Sequence, residues 1–116
     1  MTPVIELDSV ARTYRVGPVR VAALRAITLR VEPGEFVVIT GPSGSGKSTL
    51  LNLLGLLDRA DEGVYRLDGR DVAACGDDEL TLLRNRKIGF VFQSAPMLAR
   101  LTVRENVAVP LVYRGL

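Results

Sequence analysis

The sequence predicts an α/β fold in which an N-terminal antiparallel β region precedes a strand, a glycine-rich loop and a helix. Several segments within residues 4–31 alternate apolar and polar side chains, which is typical of strands with one solvent-exposed face. Residues 36–40 are continuously apolar or β-branched, as in a strand buried on both faces of a parallel sheet. A run rich in glycine and serine follows at residues 41–46, and residues 47–54 then have the composition of a buried helix.

The composition is that of one globular domain at most. The chain has 116 residues, of which 47% are hydrophobic and 24% charged, and these fractions argue against disordered, collagen-like and coiled-coil classes. No stretch approaches the roughly 20 apolar residues that a membrane-spanning helix requires, and the N-terminus lacks the pattern of a secretory signal. The formal net charge is +2 with basic residues scattered among acidic ones, so nucleic acid is not an expected partner.

Cysteine and histidine usage restricts the possible chemistry. Cys75 is the only cysteine and histidine is absent, so the sequence offers neither an internal disulfide nor a Cys/His metal cluster. This usage favours a reducing, cytoplasmic setting. Any catalysis must rely on carboxylates, lysine, hydroxyls, backbone amides or a bound metal, because the commonest general base is missing.

The first 35 residues contain the predicted antiparallel unit. Residues 4–10 and 12–16 are predicted as two short strands, with a turn at Gly17 and Pro18. Residues 26–31 alternate cleanly and predict a further strand. The Glu-Pro-Gly-Glu sequence at residues 32–35 is typical of a tight turn, and together these segments predict a hairpin-like antiparallel unit.

The second half of the chain is predicted to alternate strands and helices. Residues 63–69 form a short strand closed by an Asp-Gly turn, and residues 77–86 form a helix with acidic residues first and basic residues last. Residues 88–92 are a second candidate for a buried strand. Thr102 and Glu105 have the spacing of a capping box, so a last helix is expected to begin there and to meet Pro110.

Residues 41–48 match the phosphate-loop pattern of Gly, four residues, Gly, Lys and Ser. Glycine permits backbone conformations in which successive N–H groups point at one phosphate, and the following helix adds the positive end of its dipole. Lys47 would neutralise the terminal phosphates, while the Ser48 hydroxyl would ligate Mg²⁺. A glycine-rich turn that binds no ligand is the plain alternative. The predicted nucleotide-binding residues in this segment are Gly41, Pro42, Ser43, Gly44, Ser45, Gly46, Lys47, Ser48 and Thr49.

The whole chain resembles the nucleotide-binding domains of ABC transporters, above all the ATPase subunits of lipoprotein-release, macrolide-export and cell-division systems. The resemblance rests on Tyr14, the loop at 41–48, and the segments 50–58, 67–72 and 84–93. It implies a P-loop NTPase core with an N-terminal antiparallel β subdomain. Residues 1–116 would be a partial domain that stops at the start of the helical subdomain.

The resemblance also implies a set of binding residues. Tyr14 occupies the position of the aromatic that stacks on adenine, and Gln93 that of the Q-loop glutamine, whose amide oxygen reaches Mg²⁺ or the attacking water. The implied cofactors are ATP and Mg²⁺, with Ser48 and Gln93 as metal ligands. Without the resemblance, Tyr14 is interpreted as a packing residue and Gln93 as a loop residue.

Partners and location follow from the same resemblance. Residues 105–107 resemble the entry into the subdomain that faces a transmembrane permease subunit, and the complete domain would form head-to-tail ATPase dimers. The expected location is cytoplasmic, at the inner face of the membrane through the permease. Two positions depart from the family pattern, since Ala95 stands where an aromatic is usual and Ala99 where a proline is usual.

The segments that this family needs for hydrolysis do not occur within the 116 residues. These are the Leu-Ser-Gly-Gly-Gln signature, the Walker B strand ending in Asp and Glu, and the switch histidine. By the sheet order that the resemblance implies, the missing Walker B strand would lie between residues 36–40 and 88–92, so we expect a marginally stable N-terminal half with a gap in its sheet. Three hypotheses remain: a transporter ATPase subunit, a truncated product that only binds nucleotide, and another P-loop NTPase, for which no Asn-Lys-x-Asp guanine motif is present.

Overall fold

The computed structural model describes residues 2–91, 102–104 and 107. The chain divides into two compact units, Met1–Gly76 and Asp77–Leu116. The first unit contains a four-stranded antiparallel sheet in the order β2-β1-β3-β4 and one helix. Its elements are β1 (Ile5–Val16), β2 (Val19–Val31), helix α1 (Lys47–Leu54), β3 (Glu62–Leu67), β4 (Arg70–Asp71) and a short 3₁₀ helix (Val72–Ala74).

The N-terminal hairpin differs from the prediction in its continuity. The two predicted short strands are one strand, β1, and the turn at Gly17 and Pro18 joins it directly to a long β2. The register between the strands shifts at three points, and Ser9 and Ala26 have the positive φ angles of 51° and 47°. Register shifts of this kind occur at β-bulges and other irregularities, which interrupt the alternation of side chains, so the sequence pattern does not indicate that the strand is continuous.

The strand predicted at residues 63–69 is confirmed as β3, and so is the Asp-Gly turn that closes it. Asp68 and Gly69 have φ angles of 52° and 82°, and two positive φ angles are what a type I′ hairpin turn requires. The turn leads into the short strand β4. Local turn chemistry therefore determines this hairpin.

Helix α1 covers the predicted residues and packs its apolar side against the sheet. Its Leu53 is 1% exposed, and the Tyr65 hydroxyl of β3 donates to the Leu54 carbonyl oxygen at 2.7 Å. Burial raises the pKa of Tyr65, so its hydroxyl remains a donor. The buried side chains of the first unit are Leu7, Val10, Leu24, Leu53, Leu56, Tyr65, Leu67 and Cys75.

Residues 36–40 were predicted as a buried strand, and this prediction is wrong. They have no regular secondary structure, and Phe36 and Val38 are 92% and 67% exposed. A strand buried on both faces needs hydrogen-bonded neighbours, and no strand within the described residues pairs with this segment. The turn before it is present, since Glu35 N–H donates to Glu32 O at 3.2 Å, and the predicted antiparallel unit is formed by β1 and β2.

In the second unit, the predicted helix is confirmed as α2 (Asp77–Lys87), with three acidic residues in its first turn and three basic residues in its last. The strand predicted at residues 88–92 is absent over 88–91, where Val91 is fully exposed. Val103, Arg104 and Val107 are helical, as the capping box predicts, while Glu105, Pro110 and residues 92–101 lie outside the described part. Among the described helices, none is long and apolar enough to cross a membrane.

Candidate functional site

The predicted phosphate loop forms a tight turn followed directly by α1. Ser45 N–H donates to Pro42 O at 3.2 Å, and Gly44 has a φ of 83°, which a type II turn requires at its third residue. Gly46 has a φ of 94°, and a Cβ at this position would lie 2.5 Å from the Ala23 carbonyl oxygen of β2. Glycine is needed at Gly46 both for its backbone conformation and for its close approach to the sheet.

The start of α1 presents unpaired N–H donors. Gly46 is the N-cap and has no side chain to accept from them, and Leu50 N–H makes the first intrahelical bond, to Gly46 O at 2.9 Å. The N–H groups of Lys47, Ser48 and Thr49 therefore have no acceptor within the helix. The first turn contains no acidic residue that would compete for them. The arrangement favours an anion at this end of the helix.

Lys47 lies across the loop. Its Nζ donates a hydrogen bond to the Gly41 carbonyl oxygen at the start of the phosphate loop. The ammonium group is therefore held at the same end of α1 as the three N–H donors. This places the positive charge where the sequence predicts phosphate binding.

One cavity of about 490 Å³ extends from the phosphate loop to Tyr14. Its volume is in the range that small-molecule sites occupy. Among the predicted residues, Gly41, Pro42 and Ser45 shape the loop without lining this cavity, and Gln93 lies outside the described residues. The cavity is lined by Tyr14, Val21, Ala22, Ala23, Ser43, Gly44, Gly46, Lys47, Ser48 and Thr49.

Three lining residues, Val21, Ala22 and Ala23, were missed by the sequence analysis. They belong to β2, and Val21 pairs with Tyr14 in the β1–β2 register. A two-residue turn at Gly17 and Pro18 implies this pairing. The signal was therefore present, but β2 was predicted to begin only at residue 26.

Tyr14 is held by two contacts besides its place in the strand. Its hydroxyl donates to Asp58 Oδ2 at 2.5 Å, and the Arg12 guanidinium carbon lies 4.6 Å from the centre of its ring. The first contact fixes the end of the side chain and the second covers a face of the ring. Neither contact was predicted from the sequence.

Arg12 also joins two aspartates in the segment after α1. Its Nε is 3.1 Å from Asp58 Oδ2, its Nη1 is 2.8 Å from Asp61 Oδ1, and Thr13 N–H donates to Asp61 Oδ2 at 2.6 Å. Burial alone would raise the pKa of Asp58. The hydrogen bonds that its carboxylate accepts from Tyr14 and from Arg59 N–H, together with the charge of Arg12, outweigh burial, so the pKa of Asp58 is below its ordinary value. The hydrogen bond from Thr13 N–H holds the pKa of Asp61 below its ordinary value as well. Both carboxylates are therefore ionised at neutral pH.

A loop with the pattern Gly, four residues, Gly, Lys and Ser directly before a helix is the hallmark of the phosphate-loop class of nucleotide-binding proteins. The profile of the family described as "ABC transporter" matches residues 24–114. This match covers most of the chain, and the protein belongs to that family.

Curated relatives agree with the family. A macrolide export ATP-binding/permease protein MacB of Syntrophobacter fumaroxidans is 53% identical over 111 residues, which are 96% of this chain and 16% of the relative. An uncharacterized ABC transporter ATP-binding protein of Thermotoga maritima is 52% identical over 115 residues, covering 99% of this chain and 49% of the relative. The chain thus spans about half or less of the length of these relatives.

Solved structures confirm the fold. The ATP-binding cassette MJ0796, in a dimeric post-hydrolysis state bound to ADP and Pi, matches with a TM-score of 0.88 and 45% identity. The match covers 95% of this chain and 47% of the cassette. The predicted ABC ATPase core with an N-terminal antiparallel β subdomain is therefore confirmed.

Proposed function

We propose that this chain is the part of an ABC transporter's ATP-binding domain that binds Mg-ATP at its phosphate loop. The observation that supports this most strongly is the single cavity lined by both Tyr14 and the residues around Lys47. An aromatic at one end and unpaired donors at the other match the two ends of a nucleotide. The family membership makes ATP the expected nucleotide.

In this proposal, the phosphate end is the stronger anchor. The N–H groups at the start of α1 and the Lys47 ammonium donate to phosphate oxygens, and charge-assisted hydrogen bonds are about twice as strong as neutral ones. The base end rests on Tyr14. Stacking on an aromatic ring contributes about 1 to 3 kcal/mol and distinguishes bases weakly.

The residues at the phosphate end are suited to magnesium. Within the described residues no three His, Cys, Asp or Glu side chains come together to hold a metal, but the Ser48 hydroxyl lines the cavity beside Lys47. Mg²⁺ is usually held by one or two protein oxygens together with phosphate oxygens and water, and Ser48 provides such an oxygen. Bound there, the metal would neutralise phosphate charge. Gln93 as a second ligand remains a prediction.

We further propose that this chain works with a membrane partner. The MacB relatives are named as combined ATP-binding and permease proteins, and MJ0796 is described as dimeric. By analogy, the complete form of this protein would pair head to tail with a second ATPase domain and dock on a transmembrane permease subunit, at the cytoplasmic face of the membrane. Export or lipoprotein release is the transport type that the resemblance favours.

The second candidate function is nucleotide binding without turnover. The segments needed for hydrolysis do not occur in the 116 residues, so we expect this chain alone to bind Mg-ATP and to release no phosphate. Calorimetry should show that Lys47→Ala weakens Mg-ATP binding by about tenfold or more, since a hydrogen bond to a charged group contributes about 1.5 to 3 kcal/mol. Lys87→Ala, outside the cavity, should bind as the wild type does.

A phosphate-release assay distinguishes the two candidates. Turnover by the purified chain that disappears in Lys47→Ala would refute the binding-only function. Unchanged Mg-ATP affinity in Lys47→Ala would refute the nucleotide site itself.

A further inference from the structure

The Arg12 and Asp58 side chains contact Tyr14, Asp61 pairs with Arg12, and none of these three charged residues lines the cavity. We propose that these three residues, the tyrosine clamp, position the Tyr14 ring for the base of the nucleotide and thereby set the affinity of the base end of the site. The proposal rests on the nucleotide-binding function proposed above. It assigns a task to charged residues that do not line the cavity.

The two faces of the Tyr14 ring have different surroundings. Arg12 covers one face at 4.6 Å from the ring centre, and Arg12 is not among the residues that line the cavity. Tyr14 does line it, and in this proposal the base stacks on the ring face that the guanidinium leaves uncovered. The hydrogen bond from the Tyr14 hydroxyl to Asp58 Oδ2 prevents the ring from swinging about its Cα–Cβ bond.

Asp58 lies in the segment that follows the C-terminal end of α1. Leu57 N–H donates to Asn52 O at 2.9 Å and Leu56 N–H to Leu53 O at 3.1 Å, which are the two bonds of a Schellman motif ending α1. Leu56, at the left-handed position of this motif, has a φ of 63° and is buried. The end of the helix therefore determines where the Asp58 carboxylate lies.

Helix α1 joins the two ends of the site. The first turn of α1 provides the phosphate donors, and the segment directly after its last turn provides Asp58. The helix has eight residues, which correspond to about 12 Å of rise. Asp61 holds this segment against β1, because its N–H donates to Ala11 O at 2.9 Å and its carboxylate accepts from Thr13 N–H. One short helix thus fixes the separation between the ring and the phosphate loop.

A purely structural role for the same ion pairs makes a different prediction. Partly exposed ion pairs contribute little to stability, and any loss of folding would weaken both ends of the site alike. A clamp that acts through Tyr14 weakens only ligands that have a base. Comparing ATP with inorganic tripolyphosphate therefore separates the two roles.

The experiment measures dissociation constants for ATP and for tripolyphosphate, both with Mg²⁺, on the full 116-residue chain. Tyr14→Ala should weaken ATP binding about tenfold, and Arg12→Gln and Asp58→Ala should each weaken it about threefold to fivefold. Tripolyphosphate affinity should stay within about twofold of wild type in all three variants, since the phosphate donors are unchanged. Arg30→Gln is the matched control, because it removes an ion pair of 2.8 Å with Glu32 outside the cavity.

A double variant adds a second readout. Arg12→Gln combined with Tyr14→Ala should bind ATP no more weakly than Tyr14→Ala alone, because the clamp acts only through the ring. Additive losses, equal losses for ATP and tripolyphosphate, or wild-type ATP affinity in both Arg12→Gln and Asp58→Ala would each overturn the clamp. If Tyr14→Ala itself leaves ATP affinity unchanged, the proposed base site fails and the clamp fails with it.

Discussion

Two regions of this chain have similar strand-forming composition and different structures. The hairpin β1–β2 is a continuous ladder of hydrogen bonds that tolerates three register shifts, while residues 36–40, although rich in Val and Ile, have no regular structure and are largely exposed. Residues 88–91 resemble the second case. The difference shows that β propensity describes how well a side chain fits a sheet, and that a strand also needs hydrogen-bonded neighbours.

The largest expected effect is a loss of folding stability when a buried side chain of the packed region is shortened, compared with the same kind of change in the unpaired segment. Leu53→Ala should lower the free energy of unfolding by about 2 to 5 kcal/mol, because it leaves a cavity beneath the sheet. Val38→Ala, in the exposed segment, should change it by less than about 0.5 kcal/mol. Urea unfolding followed by circular dichroism measures both. A Val38→Ala loss comparable to that of Leu53→Ala would show that residues 36–40 are packed.

An intermediate effect is expected at a glycine that approaches the sheet. Gly46→Ala places a Cβ against the Ala23 carbonyl oxygen at a φ of 94°, and this oxygen belongs to the backbone of β2, which has little freedom to move. The strain should cost about 1 to 3 kcal/mol and weaken Mg-ATP binding, as measured by chemical unfolding and calorimetry. Gly89→Ala has open space around its Cβ and is the matched control. Equal stability of the two variants would contradict the close approach of the loop to β2.

The smallest expected effect is a pH dependence of the folding stability, which arises from two aspartates of the packed region. The pKa values of Asp58 and Asp61 are lowered by their partners in the folded state. Their stabilisation is therefore present above the unfolded aspartate pKa of about 3.9 and is lost as the pH falls through the lower folded-state values. The urea concentration at the midpoint of unfolding should decrease as the pH is lowered below about 4. For an Asp58→Asn/Asp61→Asn variant, this midpoint should depend less on pH than in the wild type. Identical profiles for this variant and the wild type would contradict the role of these carboxylates.

Local signals in the sequence predicted much of the first unit. The phosphate-loop pattern predicted the start of α1 at Lys47, and the Asp68-Gly69 pair predicted the turn after β3, since each depends on residues that are neighbours in the chain. Residues 36–40 were mispredicted because their structure depends on a neighbouring strand. The irregularities near Ser9 and Ala26 interrupt the alternation of side chains, so the sequence pattern did not predict the full length of β1 and β2.

The candidate site was predicted in part. The loop residues and Tyr14 follow from motif and resemblance, and the structure brings them to one cavity. The contacts of Arg12 with Asp58 and Asp61 join positions more than forty residues apart, so no local pattern indicates them. The Ala23 wall of the cavity depends on a bulge in β2, which sequence alternation does not reveal.

The dissociation constant for Mg-ATP, compared between wild type, Lys47→Ala and Tyr14→Ala, tests most directly whether one cavity binds both ends of the nucleotide. Each substitution is expected to weaken binding by about tenfold, from loss of a charge-assisted hydrogen bond at one end and of base stacking at the other. Wild-type affinity in either variant would contradict the claim that this cavity binds both ends of the nucleotide.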